Sequence, residues 1–152
     1  MPEISKATVQ DVPDLLMLVE QYWAFENIAG FDRSRLSVQL ERLVSEKHLG
    51  GGWIARNGTT PVGYLLAVYV FSLEKLGLTA ELDEFFVVPP YRSQGIGASL
   101  LRTAEATFFR AGCTNTSLQL SHSNDEARAF YRRHGYSRRS GYELLDKKLV
   151  VD

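Results

Sequence analysis

A chain of 152 residues with 45% apolar residues, 23% charged residues and a net charge of −1 has the makeup of a soluble globular protein, and as one domain it can bury roughly two thirds of its unfolded surface. Near-neutral charge gives no electrostatic reason to bind nucleic acid or an anionic membrane, and apolar runs such as Tyr64 to Phe71 are far too short to span a bilayer. One cysteine, Cys113, rules out an internal disulfide, and with three scattered histidines it argues against a zinc site.

Ile4 to Ala7 reads as a short strand. Asp11 is placed to cap a helix whose apolar face is Val12, Leu15, Leu16, Val19, Tyr22 and Trp23. Leu36, Leu40, Leu43 and Val44 repeat that spacing in a second helix, opened by Asp32 or Ser34 and broken by Gly50-Gly51-Gly52. Trp53 to Ala55 and Val62 to Phe71 read as strands joined across Asn57-Gly58, a hairpin dipeptide. Leu82 to Val88 is the next strand, ended by Pro89-Pro90. A helix follows from Gly97 to Ala111, with Leu100, Leu101, Ala104 and Phe108 inward and Gly112 as its stop.

Leu118 and Leu120 then alternate with polar residues, as in a half-buried strand. Ser123 to Glu126 has the S-x-x-E form of a capping box, opening a helix with Ala127, Phe130 and Tyr131 that Gly135 ends. Tyr136 to Arg139 and Tyr142 to Leu149 read as a closing pair of strands. The order is mixed α/β rather than regular βαβ alternation, in one domain over residues 1–152. No basic segment followed by an apolar core opens the chain, so a cytoplasmic location is expected.

The segment Val87-Val88-Pro89-Pro90-Tyr91-Arg92-Ser93-Gln94-Gly95-Ile96-Gly97-Ala98 is the most informative. A strand, a short basic turn with two glycines and a helix start together aim backbone N–H groups and a helix dipole at one spot, which suits a diphosphate. Leu100 stands where a dinucleotide-binding fingerprint needs its third glycine, and no Gly-Lys-Ser/Thr follows as in a Walker A loop. Arg92 to Ala98 instead resembles the Q/R-x-x-G-x-G/A motif of the GCN5-related N-acetyltransferases, with their Val-x-Pro-x-Tyr-Arg lead-in. A second block, Asn124 to Tyr136, is similar to that family's N…A…FY…GF/Y block. The resemblance runs from residue 4 to about 149.

It implies an α/β (α+β) GNAT fold: a mixed, mostly antiparallel twisted sheet of six or seven strands, flanked by about four helices and splayed between the fourth and fifth strands. It also implies transfer of an acetyl group from acetyl-coenzyme A, the cosubstrate, to an amine by direct attack in a ternary complex, with no metal. Cofactor contacts carry over to Phe85, Phe86 and Val87 on the strand, to Arg92, Ser93, Gln94, Gly95, Ile96, Gly97 and Ala98 on the turn, and to Asn124 and Tyr131. Ser93 stands where the family often has glycine; a serine fits most turn conformations, a positive φ excepted. The side chains of Phe85 and Phe86 read as core, since the family role there belongs to the backbone.

Tyr131 matches the tyrosine that protonates the departing thiolate, with core packing beside Phe130 as the plainer alternative. A primary amine near pKa 10.4 needs a base or water chain to become nucleophilic at pH 7. Asp83 and Glu84 stand where the family commonly places that carboxylate, Asp83 slightly ahead. Strand alternation sets the two on opposite faces unless a bulge intervenes. Surface acids are the competing explanation.

Leu82-Asp83-Glu84-Phe85-Phe86-Val87 parallels the L-E-D-F-F-V of spermidine/spermine-type acetyltransferases, as does Tyr22-Trp23-Ala24-Phe25-Glu26. Tyr22, Trp23 and Glu26 are therefore candidate acceptor contacts, although helical spacing also makes the two rings core. Glu20 and Asp32 offer further negative charge, and His122 is a candidate relay. A small-molecule amine is the favoured acceptor and a homodimer the expected assembly. Acetylation of a protein or peptide, or a non-catalytic acyl-coenzyme A sensor, are the alternatives.

Overall fold

A computed structural model describes residues 2–150. The chain divides into two compact units, one ending at Gln119 and the other beginning at Leu120. The first unit holds β1 (Glu3–Lys6), α1 (Val12–Phe25), α2 (Arg33–Ser45), β2 (Gly50–Asn57), β3 (Thr60–Ser72), β4 (Gly77–Val87), α3 (Ile96–Arg110) and β5 (Thr116–Leu118). Its five strands lie in chain order, antiparallel from β1 to β4, with β5 parallel to β4.

Helices cover both faces of this sheet, because side chains alternate along each strand. Ile54, Tyr64, Leu66 and Phe86 pack with Leu15, Leu18 and Val19 of α1 and Leu40 of α2. Trp53, one residue from Ile54, turns the other way and meets Phe108 of α3 edge-to-face at 5.6 Å. Leu100 and Leu101 of α3 are fully buried. Burying each such side chain is worth about 1.5–3 kcal/mol.

Gly50 to Gly52 continue β2 instead of merely ending α2. A Cβ at Gly50 would lie 2.0 Å from the Ala67 carbonyl oxygen, so only glycine lets β2 approach β3 there. Asp32 caps α2, accepting the Arg35 amide at 3.1 Å. Asp11 precedes α1 without a side-chain cap bond to it. Its carboxylate closes a 3-10 turn by accepting the Thr8 amide at 2.8 Å and is clasped by Arg56 at 2.7 Å. β4 begins at Gly77, earlier than the apolar run from Leu82, because the long β3 pairs with it down to Ser72↔Gly77.

One irregularity interrupts that pairing. Leu66 opposes Glu84 and Ala67 opposes Leu82, so Asp83 is an extra residue, a β-bulge.

In the second unit, α4 (Asp125–Arg133) is capped by Asn124, whose oxygen accepts the Ala127 amide at 3.1 Å. The expected Ser123 cap is displaced by one residue, and the Ser123 hydroxyl instead lies 3.0 Å from that of Ser121. Asp125 and Glu126 in the first turn and Arg132 and Arg133 in the last complement the helix dipole. The strands expected over 136–139 and 142–149 do not form, so among the described residues the sheet has five strands rather than six or seven. Leu144-Leu145 breaks the two-residue alternation, and Tyr142, Leu144 and Leu145 are exposed, so no apolar burial stabilises a ladder there. Likewise β5 stops at Leu118, short of Leu120.

Candidate active site

β4 and β5 pair in register only from Ala80↔Thr116 to Leu82↔Leu118. The parallel ladder ends at Leu82↔Leu118, where β5 itself ends and the Asp83 bulge of β4 begins. Beyond Val87 the chain makes a 3-10 turn over Pro89–Tyr91 and then a tight loop into α3. In that loop Arg92 donates its amide to Pro89 at 3.2 Å, and the next paired amide is Ser99, donating to Gly95 at 3.0 Å. Among the hydrogen bonds of the described residues, the amides of Ser93 to Ala98 have no protein acceptor.

This is the open helix N-terminus that the motif demands. Gly95, with φ +84, takes the left-handed conformation that precedes α3, while buried Ile96 anchors the loop to the core. The Gln94 side chain turns inward to the Pro90 carbonyl at 3.2 Å. Ser93 has φ +63, the conformation excluded for a comfortable serine. The turn therefore keeps a glycine-like shape on a serine, at a cost of roughly 1 kcal/mol.

Arg92 folds back over the strand. Its Nε donates to the Val87 carbonyl at 2.8 Å, and its guanidinium lies 4.9 Å from the Phe25 ring centre and 5.4 Å from that of Phe86. Phe25, the last residue of α1, also touches Phe86 at 6.1 Å between ring centres.

The bulge separates the two candidate bases. Glu84 points into the sheet–helix interface, where the Trp23 indole N–H donates to one oxygen at 2.8 Å and the Tyr64 hydroxyl to the other at 2.9 Å. Burial raises its pKa, the two donors pull it back down and neighbouring Asp83 raises it again, leaving it above the ordinary carboxylate range. Asp83 is exposed and has no side-chain hydrogen bond among those of the described residues, and the desolvation of its surroundings raises its pKa.

Tyr22 lies half-buried between Tyr64 and Phe86, with ring centres 6.3 and 5.8 Å away. Burial first, then the charges of Glu26, Glu84 and Asp83, push its phenol up to about 12. Tyr64 is shifted upward more strongly, by burial and by Glu84. Tyr22, Glu26, Asp83 and Glu84 thus share one electrostatic neighbourhood, whereas Trp23 spends its polar atom on Glu84.

Tyr64 and Phe25 were not singled out by sequence. Tyr64 looks like one more apolar strand residue, and its hydroxyl meets Glu84 only across the β3–β4 diagonal. Glu20 pairs with Arg33 at 3.0 Å on the surface.

Within the second unit, the Tyr131 ring packs against Phe130 at 5.3 Å and Tyr136 at 5.5 Å. The His122 carbonyl accepts from Arg128 at 2.8 Å while its ring is part of an exposed residue, which gives no support to a relay.

Comparison with known proteins agrees with this geometry. Residues 15–136 match the model of the acetyltransferase (GNAT) family. The chain is 28% identical over 139 residues to the uncharacterized N-acetyltransferase YhfO of Bacillus subtilis, covering 91% of this chain and 92% of that protein. It is 37% identical over 81 residues to the aminoalkylphosphonate N-acetyltransferase of Salmonella typhimurium, covering 53% and 52% of the two chains. The fold matches that of an aminoglycoside N-acetyltransferase, AAC(6')-Iy, in complex with CoA, with a TM-score of 0.85 at 16% identity over 97% of this chain and 95% of that one. The chain belongs to the acetyltransferase (GNAT) family and is an acetyl-coenzyme A-dependent acetyltransferase.

Proposed function

We propose that the enzyme transfers the acetyl group of acetyl-coenzyme A to the primary amine of a small molecule by direct attack in a ternary complex. The observation that carries this reading is the run of amides from Ser93 to Ala98 without protein acceptors, in the turn between the end of β4 and the start of α3. Those amides and Arg92 would hold the diphosphate, and the backbone of Phe85 to Val87 the pantetheine arm.

Asp83 is the base. The ammonium form of the acceptor passes a proton to its carboxylate, directly or through water, and the freed amine attacks the thioester carbonyl. Forming the neutral amine at pH 7 costs roughly 4–5 kcal/mol, so a raised carboxylate beside it lowers a real barrier. The tetrahedral intermediate loses its second nitrogen proton to water and expels the thiolate, which takes a proton from Tyr131; the tyrosine regains its proton from solvent. Glu84 is a positioning residue: with both oxygens engaged it ties α1 to β3 and fixes the bulge that turns Asp83 outward. The acids Asp83 and Glu26 around Tyr22 suit a cationic acceptor, and the aminoalkylphosphonate and aminoglycoside relatives are named for small amine substrates.

Release of free thiol from acetyl-coenzyme A, screened with polyamines, aminoalkylphosphonates, aminoglycosides and lysine peptides, tests this directly. Thiol release that rises only with a small amine is expected, and Tyr131→Phe should slow it about 10²-fold with little change in cofactor affinity. Tight cofactor binding with no release for any amine would point to a sensor instead.

A further inference from the structure

We infer that Phe25, on α1, is a positioning residue for cofactor binding: its ring holds the Arg92 guanidinium against the turn so that its free N–H groups meet the diphosphate. The inference rests on the assignment of that turn to the diphosphate. Arg92 has four side-chain torsions that a surface arginine would sample freely, and ordering them on binding carries an entropy cost. Here they are already fixed. Nε donates to the Val87 carbonyl, and the guanidinium lies over the adjoining rings of Phe25 and Phe86, which also touch each other.

Among the described residues the guanidinium forms no ion pair, and its terminal nitrogens donate to no protein acceptor. An arginine held this way keeps its charge and N–H groups for an incoming anion, and aromatic faces hold it without neutralising it. Phe86 is buried and belongs to the core, so its presence is explained by packing. Phe25 is 53% exposed, and packing alone gives no reason for a large ring there. The stretch Tyr22 to Glu26 contains it, but nothing in the sequence links Phe25 to Arg92, which lies on a different element far along the chain.

The test uses the whole protein and separates the ring's electrostatics from its bulk. Phe25→Leu keeps an apolar side chain, whereas Phe25→Trp keeps and strengthens the aromatic face. Calorimetric titration with CoA should show Phe25→Leu weakening binding by about threefold to tenfold and Phe25→Trp binding like the parent. Phe25→Leu added to Arg92→Ala should weaken it no further. With S-acetylpantetheine, an acetyl donor that lacks the diphosphate, kcat/KM should be the same for parent and Phe25→Leu. Unchanged CoA binding by Phe25→Leu, or a full additional loss on the Arg92→Ala background, would overturn the role of Phe25 while leaving the turn's assignment intact. Failure of the parent itself to bind CoA would overturn that assignment and the inference with it.

Discussion

Gly50 to Gly52 and Gly95 are both glycine positions at the edge of a regular element, yet their surroundings are opposite. A Cβ at Gly50 would collide with the Ala67 carbonyl oxygen at 2.0 Å, and one at Gly52 would press on Leu66 at 3.0 Å. At Gly95 it would meet no heavy atom within 4 Å. The first cluster is dictated by the protein's own packing: β2 and β3 cannot close on any side chain. The second is dictated by backbone conformation, a φ of +84, with open space where a side chain would stand. Under the proposed function, that space is where the diphosphate approaches.

That contrast can be broken most sharply at Gly95. Gly95→Glu should abolish measurable CoA binding, because a carboxylate would stand against the diphosphate, while thermal denaturation registers only about 1–2 kcal/mol of lost stability from the positive φ. Normal calorimetric titration of that variant would remove the turn from the site. Gly50→Ala should do the reverse, costing about 3 kcal/mol or more in urea unfolding with cofactor affinity retained in the molecules that fold.

Next in size, Asp83→Asn should lower kcat/KM for the amine about 10²-fold. In the parent, the base form of Asp83 is lost as pH falls through its raised pKa, so activity should decline on the acid side sooner than an ordinary aspartate would cause. That limb should vanish in Asp83→Asn, and its persistence would shift the role to another group. The smallest effect is at Ser93, where glycine should raise stability by roughly 0.5–1 kcal/mol by relieving the φ of +63, with CoA affinity within about twofold of the parent. A loss of stability there would mean that the serine side chain contributes something the backbone argument omits.

Two arginines repeat the lesson. Arg56 is paired with Asp11 at 2.7 Å and Asp14 at 2.8 Å, fastening β2 to the start of α1. Arg92 is held by rings and one carbonyl. In sequence each is one arginine near a turn. Only the identity of the neighbours distinguishes an arginine paired with carboxylates from one held by rings and a carbonyl.

Much of this was legible beforehand. Apolar spacing identified α1, α2 and α3, Asn57-Gly58 marked the β2–β3 hairpin, and the Arg92–Ala98 string located the turn with its glycines, because these signals are local and depend on backbone preference. Element ends were less legible. Asn124 took the cap from Ser123, and β4 reached back to Gly77 because β3 was there to pair with it. The strands expected after Tyr136 failed because alternation predicts a strand only where something buries its apolar face, and Leu144-Leu145 has nothing comparable among the described residues.

The sequence by itself determined the acetyltransferase family, the order of elements from β1 to α4 and the position of the glycine turn before α3, since each rests on local residue patterns. Tertiary structure alone decided which of two adjacent carboxylates faces solvent. Alternation can only place Asp83 and Glu84 on opposite sides; the bulge opposite Leu66 and Ala67, with Trp23 and Tyr64 reaching Glu84 from two other elements, settles which side is which. Such contacts join residues tens of positions apart, and their strength comes from the burial that only the assembled sheet and helices provide.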